Sequence, residues 1–375
     1  METKIIEYIE NNKDELFKLL SELLKIDTQN YVSYGNEEAG QRYFADYCKK
    51  NGFDVDVYNP DEVEGLISHE GYLKGRGTDK RPNFTAILKG KTGKQKITFA
   101  AHMDTMPIGN EKDWTVPPLG GVIKDNKIWG RGSSDDKFGI AAAIFAAKAI
   151  KECGIQLDSD LYVTSYVDEE YGGGNGALAT CLKYPSDVYI NLDGGGMQVL
   201  PYGIGGRSAE ASLRKEETLS SCSDIFKGLE ILVSEFENFG KKRFKELAQD
   251  NIFAGTSIEN DAYRLLGVSC GNEGLDLSSA KILFTYYTLT QKDEIEKELE
   301  ELSVRVSKKL EKTGLIFDGI KNVSRFFHPV RPKEIPEDAA IFSEELSKAY
   351  GRQVEFAGGC LSDLSVMHKY GWDSI

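Results

Sequence analysis

A histidine and an aspartate stand where a buried strand, predicted over 96–101, comes to its end. The segment reads His102-Met103-Asp104. Because alternate residues of an extended chain point to the same side, His102 and Asp104 are expected to face the same way. A carboxylate in this place can accept one ring N–H and leave the other imidazole nitrogen for a metal ion. A His–Asp hydrogen bond without a metal explains the same spacing, and for this motif alone it is the preferred interpretation.

A glycine-rich turn carries a second acidic group. Residues 129–137 read Trp-Gly-Arg-Gly-Ser-Ser-Asp-Asp-Lys and lead into an Ala-rich helix predicted over 138–152. Ser134 or Asp135 is a suitable N-cap for that helix, which is the ordinary explanation. The functional alternative is a carboxylate displayed on a constrained turn. The turn by itself does not decide between the two.

Two further predicted strands are followed at once by acids. The strand over 161–167 runs into residues 168–170 (Asp-Glu-Glu), and the strand over 188–192 ends at Asp193. Solvated strand ends are the ordinary explanation, but one of two adjacent carboxylates can bind a metal while its neighbour acts as a general base. Ligands of open α/β sheets bind at the carboxyl ends of strands. We therefore expect all four motifs to meet in one pocket suited to one or two divalent cations.

The elements that must position these residues alternate between strands and helices. Apolar side chains at helical spacing predict amphipathic helices over 5–26 and 37–51. Between residues 83 and 193, predicted strands are separated by helices. This pattern indicates an α/β fold in which a largely parallel sheet is flanked by helices.

The pattern changes beyond Asp193. Glycines at 194–196 and the segment 201–206 indicate a hinge, and the strands and helices predicted after it amount to an α+β insertion of ordinary domain size. We predict a discontinuous catalytic domain, 1–203 plus 333–375, interrupted by an inserted α+β domain at 204–332.

Composition excludes some partners. The 375 residues include 46 Lys and Arg against 60 Asp and Glu, a net charge of −14. Nucleic-acid and membrane-surface proteins use basic faces, so we expect neither partner. The six cysteines are scattered without a Cys-x-x-Cys pair, and the N-terminal residues lack the pattern of a secretory signal. We expect a cytoplasmic protein with reduced cysteines.

Taken together and in this order, the motifs resemble the dizinc aminoacylase/carboxypeptidase family, which includes acetylornithine deacetylase, succinyl-diaminopimelate desuccinylase and bacterial glutamate carboxypeptidases. Occurring together, the motifs are specific for this family. The functional interpretation is then preferred over the ordinary explanation given above for each single motif. The motifs that carry the resemblance are Arg81-Pro-Asn83, His102-x-Asp104, Trp114 with Pro117-Pro118, Gly130-Arg-Gly-x-x-Asp135-x-Lys137, Glu169-Glu170, Asp193 and Gly358-Gly359-x-x-x-Asp363.

The resemblance implies a dinuclear metal site. It implies two Zn2+ per chain, with Co2+ or Mn2+ as alternatives. His102 and Asp193 would bind one ion and Glu170 the other, while Asp135 would bridge both. The substrate would be a small N-acyl amino acid or a short peptide, cleaved at an amide bond.

The resemblance also assigns roles around the metals. Glu169 would be the general base and Asp104 the partner of His102, and the peptide between Asp135 and Asp136 is expected to be cis. The inserted domain would act as a lid and form a homodimer.

The sequence departs from the family pattern at its histidines. The family takes a further ligand from a C-terminal Ala-His-x-x-x-Glu segment, which does not occur before Ile375, and His368 aligns with a helix end instead. The lid histidine is also missing after Gly206. Arg207 and Arg264 are the substitutes that remain for binding a substrate carboxylate. The alternative function is therefore a truncated or catalytically impaired homologue that binds one metal or a ligand without turnover.

Overall fold

The chain divides into two compact units. The computed structural model describes residues 2–194, 197–215, 223–271 and 277–371. The first unit comprises 1–197 with 366–375, and the second comprises 198–365. This grouping by contacts places 333–365 with the second unit, so the boundaries at 203/204 and 332/333 stay a prediction. Gly195 and Gly196 of the predicted hinge lie outside the described residues.

The first unit is built around a five-stranded sheet in the order β1-β2-β6-β3-β7. Strand β3 is parallel to β6 and β7, whereas β1–β2 and β2–β6 are antiparallel. The α/β prediction is confirmed, but the sheet is mixed, because only α3 and α4 supply the crossovers that parallel neighbours need. In chain order the elements are α1 (Glu2–Leu24), α2 (Glu37–Lys50), β1 (Asp54–Tyr58), β2 (Asn83–Leu88), β3 (Lys96–His102), β4 (Val122–Lys124), β5 (Lys127–Trp129), α3 (Lys137–Glu152), β6 (Asp160–Tyr166), α4 (Asn175–Lys183) and β7 (Val188–Asn191).

The core of this unit fixes the start of α3. Leu23 and Leu24 at the end of α1 pack in the same apolar cluster as Ile140 and Ile144 of α3. Lys137, at the start of α3, is buried, and its Nζ donates to the main-chain oxygens of residues 23 and 26 at 3.2 and 2.9 Å. The end of α1 and the turn that carries Asp135 are therefore held together.

The second unit is an antiparallel four-stranded sheet, β10-β11-β9-β12, against which α5 and α7 pack, together with a parallel pair, β8–β13. The sequence pattern does not predict β10 or β12, because bulges next to Gly267 and Gly319 interrupt their alternation. The elements are β8 (Val199–Gly203), β9 (Gly205–Lys215), α5 (Ser223–Ala248), α6 (Ser257–Asn260), β10 (Tyr263–Cys270), β11 (Ser279–Thr288), α7 (Lys292–Leu310), β12 (Leu315–Asn322), α8 (Glu337–Tyr350), β13 (Phe356–Gly359) and α9 (Leu364–Tyr370), the last of which adds Val366 and Met367 to the first unit's core.

Among the described residues, no helix is both long enough and apolar enough to cross a membrane. The described cysteines, which leave out Cys222, form no disulfide.

Candidate metal centre

The first part of the site lies at the end of β3. His102 is its last residue and Asp104 follows, both fully buried. Nδ1 of His102 donates to the main-chain oxygen of Asp104 at 2.9 Å, with Oδ1 of Asp104 at 3.5 Å, and Nε2 lies 2.8 Å from Oδ1 of Asp135. Because a carbonyl oxygen only accepts, Nδ1 carries the hydrogen. In the neutral ring Nε2 then presents its lone pair, the form that binds a metal.

The carboxylate of Asp104 holds the acidic loop after β6. Its Oδ1 accepts from the amide of Glu169 at 3.0 Å, and its Oδ2 accepts from the amide of Glu170 at 3.1 Å. Although burial opposes it, hydrogen bonds from His102 and from this loop hold the pKa of Asp104 well below its usual range. Asp104 is therefore a fixed anion that orients an imidazole on one side and two glutamates on the other.

Two sets of ligand atoms converge on His102. In one set His102, Asp135 and Glu170 each place a ligand atom within 4.8 Å of the others, and in the second His102, Glu169 and Asp193 do the same. All four residues that the resemblance assigned as ligands occur in these sets. Glu169, assigned as the base, belongs to the second set, so its carboxylate lies at the same centre.

Negative charge is crowded here. Burial, with further repulsion from Asp135 and Asp104, raises the pKa of Glu170 to about 7. Burial and the same two carboxylates raise the pKa of Asp193 as well. The pKa of His102 is also raised, well above its usual value. Burial lowers it, but the hydrogen bonds to Asp104 and Asp135 outweigh burial. The centre thus carries more negative charge than the single imidazole balances.

The donor set fits divalent cations. Carboxylate oxygens combined with an imidazole nitrogen are ligands that Zn2+ accepts, and Co2+ and Mn2+ share them. The Asp135–Asp136 peptide is cis, as the resemblance implies. The buried carboxylate of Asp136 binds the main chain of His102, since its Oδ2 accepts from the amide of His102 at 3.3 Å.

A buried ionic network behind the acidic loop is absent from the sequence-based assignment. Asp168 Oδ1 accepts from Arg76 at 3.1 Å, from Arg81 at 3.3 Å and from Asn30 at 3.2 Å. Arg81 also binds Glu37 through its Nε at 2.9 Å. Arg81 belongs to one of the family motifs, which assigns it no role. No spacing rule points to Asn30, because its partners are 74 and 138 residues away.

The other candidate residues are not members of these two sets. Arg207 and Arg264 belong to the second unit, where Arg207 is 3.0 Å from Glu296, and Arg264 donates to the hydroxyl of Tyr287 at 2.7 Å. In the described part of the chain, His102 is the imidazole of both ligand sets. His368 lies on α9, at the position predicted for a helix end.

Comparison with curated proteins finds hydrolases. The chain is 29% identical over 195 residues to N-formyl-4-amino-5-aminomethyl-2-methylpyrimidine deformylase from Halalkalibacterium halodurans, covering 51% of this chain and 41% of that protein. It is 47% identical over 91 residues to succinyl-diaminopimelate desuccinylase 2 from Ruegeria sp., covering 24% and 22%. The matched segment thus spans about two fifths of the deformylase and less of the desuccinylase.

Comparison with solved structures finds the same fold over nearly the whole chain. The dipeptidase Dug1p from Saccharomyces cerevisiae superposes with a TM-score of 0.72 at 14% identity, covering 99% of this chain and 90% of that one. The M20 family metallo-carboxypeptidase Sso-CP2 from Sulfolobus solfataricus gives 0.67 at 18% identity, covering 95% and 89%. The sequence profile of Peptidase family M20/M25/M40 matches residues 98–368, and this chain belongs to that family.

Proposed function

We propose that this protein is a metal-dependent hydrolase that cleaves an amide bond in a small N-acyl amino acid or short peptide. The observation that carries the proposal is the convergence of two ligand sets on His102 at the ends of strands. Two Zn2+ per chain, or Co2+ or Mn2+ in their place, would be held by His102, Asp135, Glu170 and Asp193. Membership of the peptidase family supports the reaction class.

In this proposal Glu169 transfers the proton and Asp104 orients the site, while the cations supply electrostatic stabilisation. The cations, when bound, polarise the scissile carbonyl and stabilise the oxyanion that forms. Glu169 accepts a proton from the attacking water and returns it to the leaving nitrogen, so that water is added across the C–N bond. Asp104 fixes the ring of His102 and the main chain of Glu169 by hydrogen bonds.

The substrate class follows from the comparisons only in outline. The relatives are named for removing a formyl group from an aminomethylpyrimidine and a succinyl group from diaminopimelate. A panel of N-formyl, N-acetyl and N-succinyl amines together with dipeptides therefore covers deacylase and peptidase activity.

The test compares Glu169→Gln with wild type after loading with Zn2+. We expect wild type to hydrolyse members of the panel, and Glu169→Gln to lose turnover while its metal content stays at two ions per chain. Glu64→Gln, at an exposed position, is the control and should keep full activity. Undiminished turnover in Glu169→Gln would remove Glu169 as the base.

A second candidate is a homologue that binds one metal or a ligand without turnover. The observation in its favour is that both described ligand sets depend on the same imidazole. Metal analysis separates the two candidates. One ion per chain, without hydrolysis of any panel member, would support this alternative.

We also propose a cytoplasmic homodimer formed through the second unit. Its edge strand β10 exposes Leu265, Leu266 and Val268, and apolar edge strands tend to be covered by a partner. Leu266→Lys should shift the molar mass measured by light scattering from dimer to monomer. An unchanged mass would place the dimer interface elsewhere.

A further inference from the structure

A short hairpin, residues 29–36, stands beside the metal centre. The amide of Tyr31 donates to the main-chain oxygen of Tyr34 at 2.9 Å, and Asn30 pairs with Gly35 across the hairpin. Residues 31–34 are therefore its turn, and the side chains of Val32 and Tyr34 are exposed.

Hydrogen bonds attach one side of the hairpin to the segment that contacts Glu170. The amide of Asn30 donates to the main-chain oxygen of Thr105 at 2.9 Å. The next residue, Met106, donates its amide to Oε1 of Glu170 at 2.8 Å. The base of the hairpin thus binds Thr105, and the neighbour of Thr105 contacts the proposed metal ligand Glu170.

The turn of the hairpin packs closely against the loop that carries Arg76. A Cβ added to Gly77 would lie 2.4 Å from the main-chain oxygen of Ser33, so glycine is needed for this close approach. Arg76 donates to the main-chain oxygen of Tyr171, the residue after Glu170.

The turn has an unusual residue at its first central position. Val32 has φ 69°, in the left-handed region that strongly disfavours a β-branched side chain. Hairpin turns with positive φ here usually use glycine, asparagine or aspartate. The amide of Val32 donates to Oδ1 of Asn30 at 2.9 Å, and the side-chain nitrogen of Asn30 binds Asp104. The strained turn is therefore tied to the residue that orients His102, and strain of this kind is concentrated at functional sites.

The surface that the turn presents is apolar and aromatic. The rings of Tyr31 and Tyr34 stack with their centroids 4.8 Å apart. Tyr34, Val32 and Met106 are 58%, 42% and 38% exposed. Rigid aromatic and aliphatic groups beside a polar catalytic centre are what a pocket for an apolar group requires.

We propose that the 31–34 turn, with Met106, is the wall that binds an aromatic or bulky apolar group of the substrate, next to the amide bond held at the metal centre. The inference rests on the proposed function and deepens it. The protein would act on amides that carry such a group in preference to those with a small acyl and a small amino part.

The test measures binding apart from turnover. In the Zn2+-loaded Glu169→Gln variant, calorimetry gives the dissociation constants of N-benzoylglycine and N-acetylglycine. We expect the benzoyl compound to bind about tenfold more tightly, a ratio typical of added apolar contact. Tyr34→Ala and Val32→Gly should each bring the ratio close to one. Val32→Gly keeps the positive φ accessible, so its melting temperature should not fall.

The control is Tyr350→Ala, which removes a tyrosine of α8 that is 44% exposed and should leave the ratio unchanged. Equal binding of both compounds, no measurable binding of either, or a ratio unaffected by both turn variants would each overturn the inference. A benzoyl preference that is lost in the turn variants, with no hydrolysis by wild type, would support this binding wall and contradict only the proposed activity.

Discussion

The side-chain amide of Asn30 donates a 2.8 Å hydrogen bond to Oδ2 of Asp104, and the same nitrogen lies 3.2 Å from Oδ1 of Asp168. A single neutral donor thus lies between two buried carboxylates, one two residues after His102 and the other two residues before Glu170. An amide in this position donates to both anions without adding a charge.

Asn30→Asp should disturb both the fold and the site. The substitution is nearly isosteric, but it removes the donor and adds a third buried negative charge. We expect the free energy of unfolding to fall by about 3 kcal/mol and Zn2+ affinity to fall as His102 loses its orientation. Asn36→Asp in the same hairpin, where an exposed amide contacts Asp27, should cost less than about 1 kcal/mol. Equal losses in the two variants, measured by urea unfolding, would contradict this role of Asn30.

Glu170→Gln should separate metal binding from general-base catalysis. The amide can still accept the hydrogen bond from Met106, but it lacks the charge that balances a cation. We expect Zn2+ affinity at one of the two sites to fall at least about 100-fold, with the loss seen as metal content after dialysis. The proposed ligand role fails if the variant retains two ions with unchanged affinity.

The Glu37–Arg81 pair should make stability depend on pH. Burial raises the pKa of Glu37 from 4.5 to about 7, and Arg81 offsets only part of this. Between these two values the folded state binds more protons than the unfolded state, so this contribution to stability falls as pH rises. Relative to Glu37→Gln, metal-free wild type should lose about 3 kcal/mol between pH 4.5 and 7.

The measurement is urea unfolding of both proteins at several pH values in this window. Glu38→Gln, a partly exposed neighbour on α2, is the control and should follow wild type. Parallel curves for wild type and Glu37→Gln would show that the buried pair does not titrate in this range.

Gly176→Ala should displace the acidic loop. A Cβ at this position would lie 2.1 Å from the main-chain oxygen of Val167, the residue before Asp168. We expect a loss of about 2–3 kcal/mol and weaker Zn2+ binding. Gly267→Ala, where the nearest neighbouring atom is 4.0 Å away on Leu283, should change stability by less than about 1 kcal/mol. Similar melting temperatures for the two variants would argue against close packing of α4 on β6.

Much of the architecture is readable from the sequence because its pattern is local. The helix over 337–350 is predicted with the bounds that the structure has, and the strand predicted over 96–101 ends one residue before its observed end at His102. Strands β10 and β12 escape prediction because their bulges break the two-residue period. The antiparallel strands β1 and β2 are not recognised as such, since strand direction depends on connections and partners rather than on composition.

The sequence alone determined the α/β class, the family resemblance and the short motifs that hold His102, Asp135, Glu169, Glu170 and Asp193 as candidates. These follow from residue types at fixed local spacing. Only the tertiary structure decided that Asn30 links Asp104 to Asp168 and that the 31–34 turn stands beside Glu170. These contacts join residues that are 64, 74 and 138 positions apart. A hydrogen bond of about 3 Å between such residues depends on how the whole sheet is packed, and local spacing in the sequence does not reveal it.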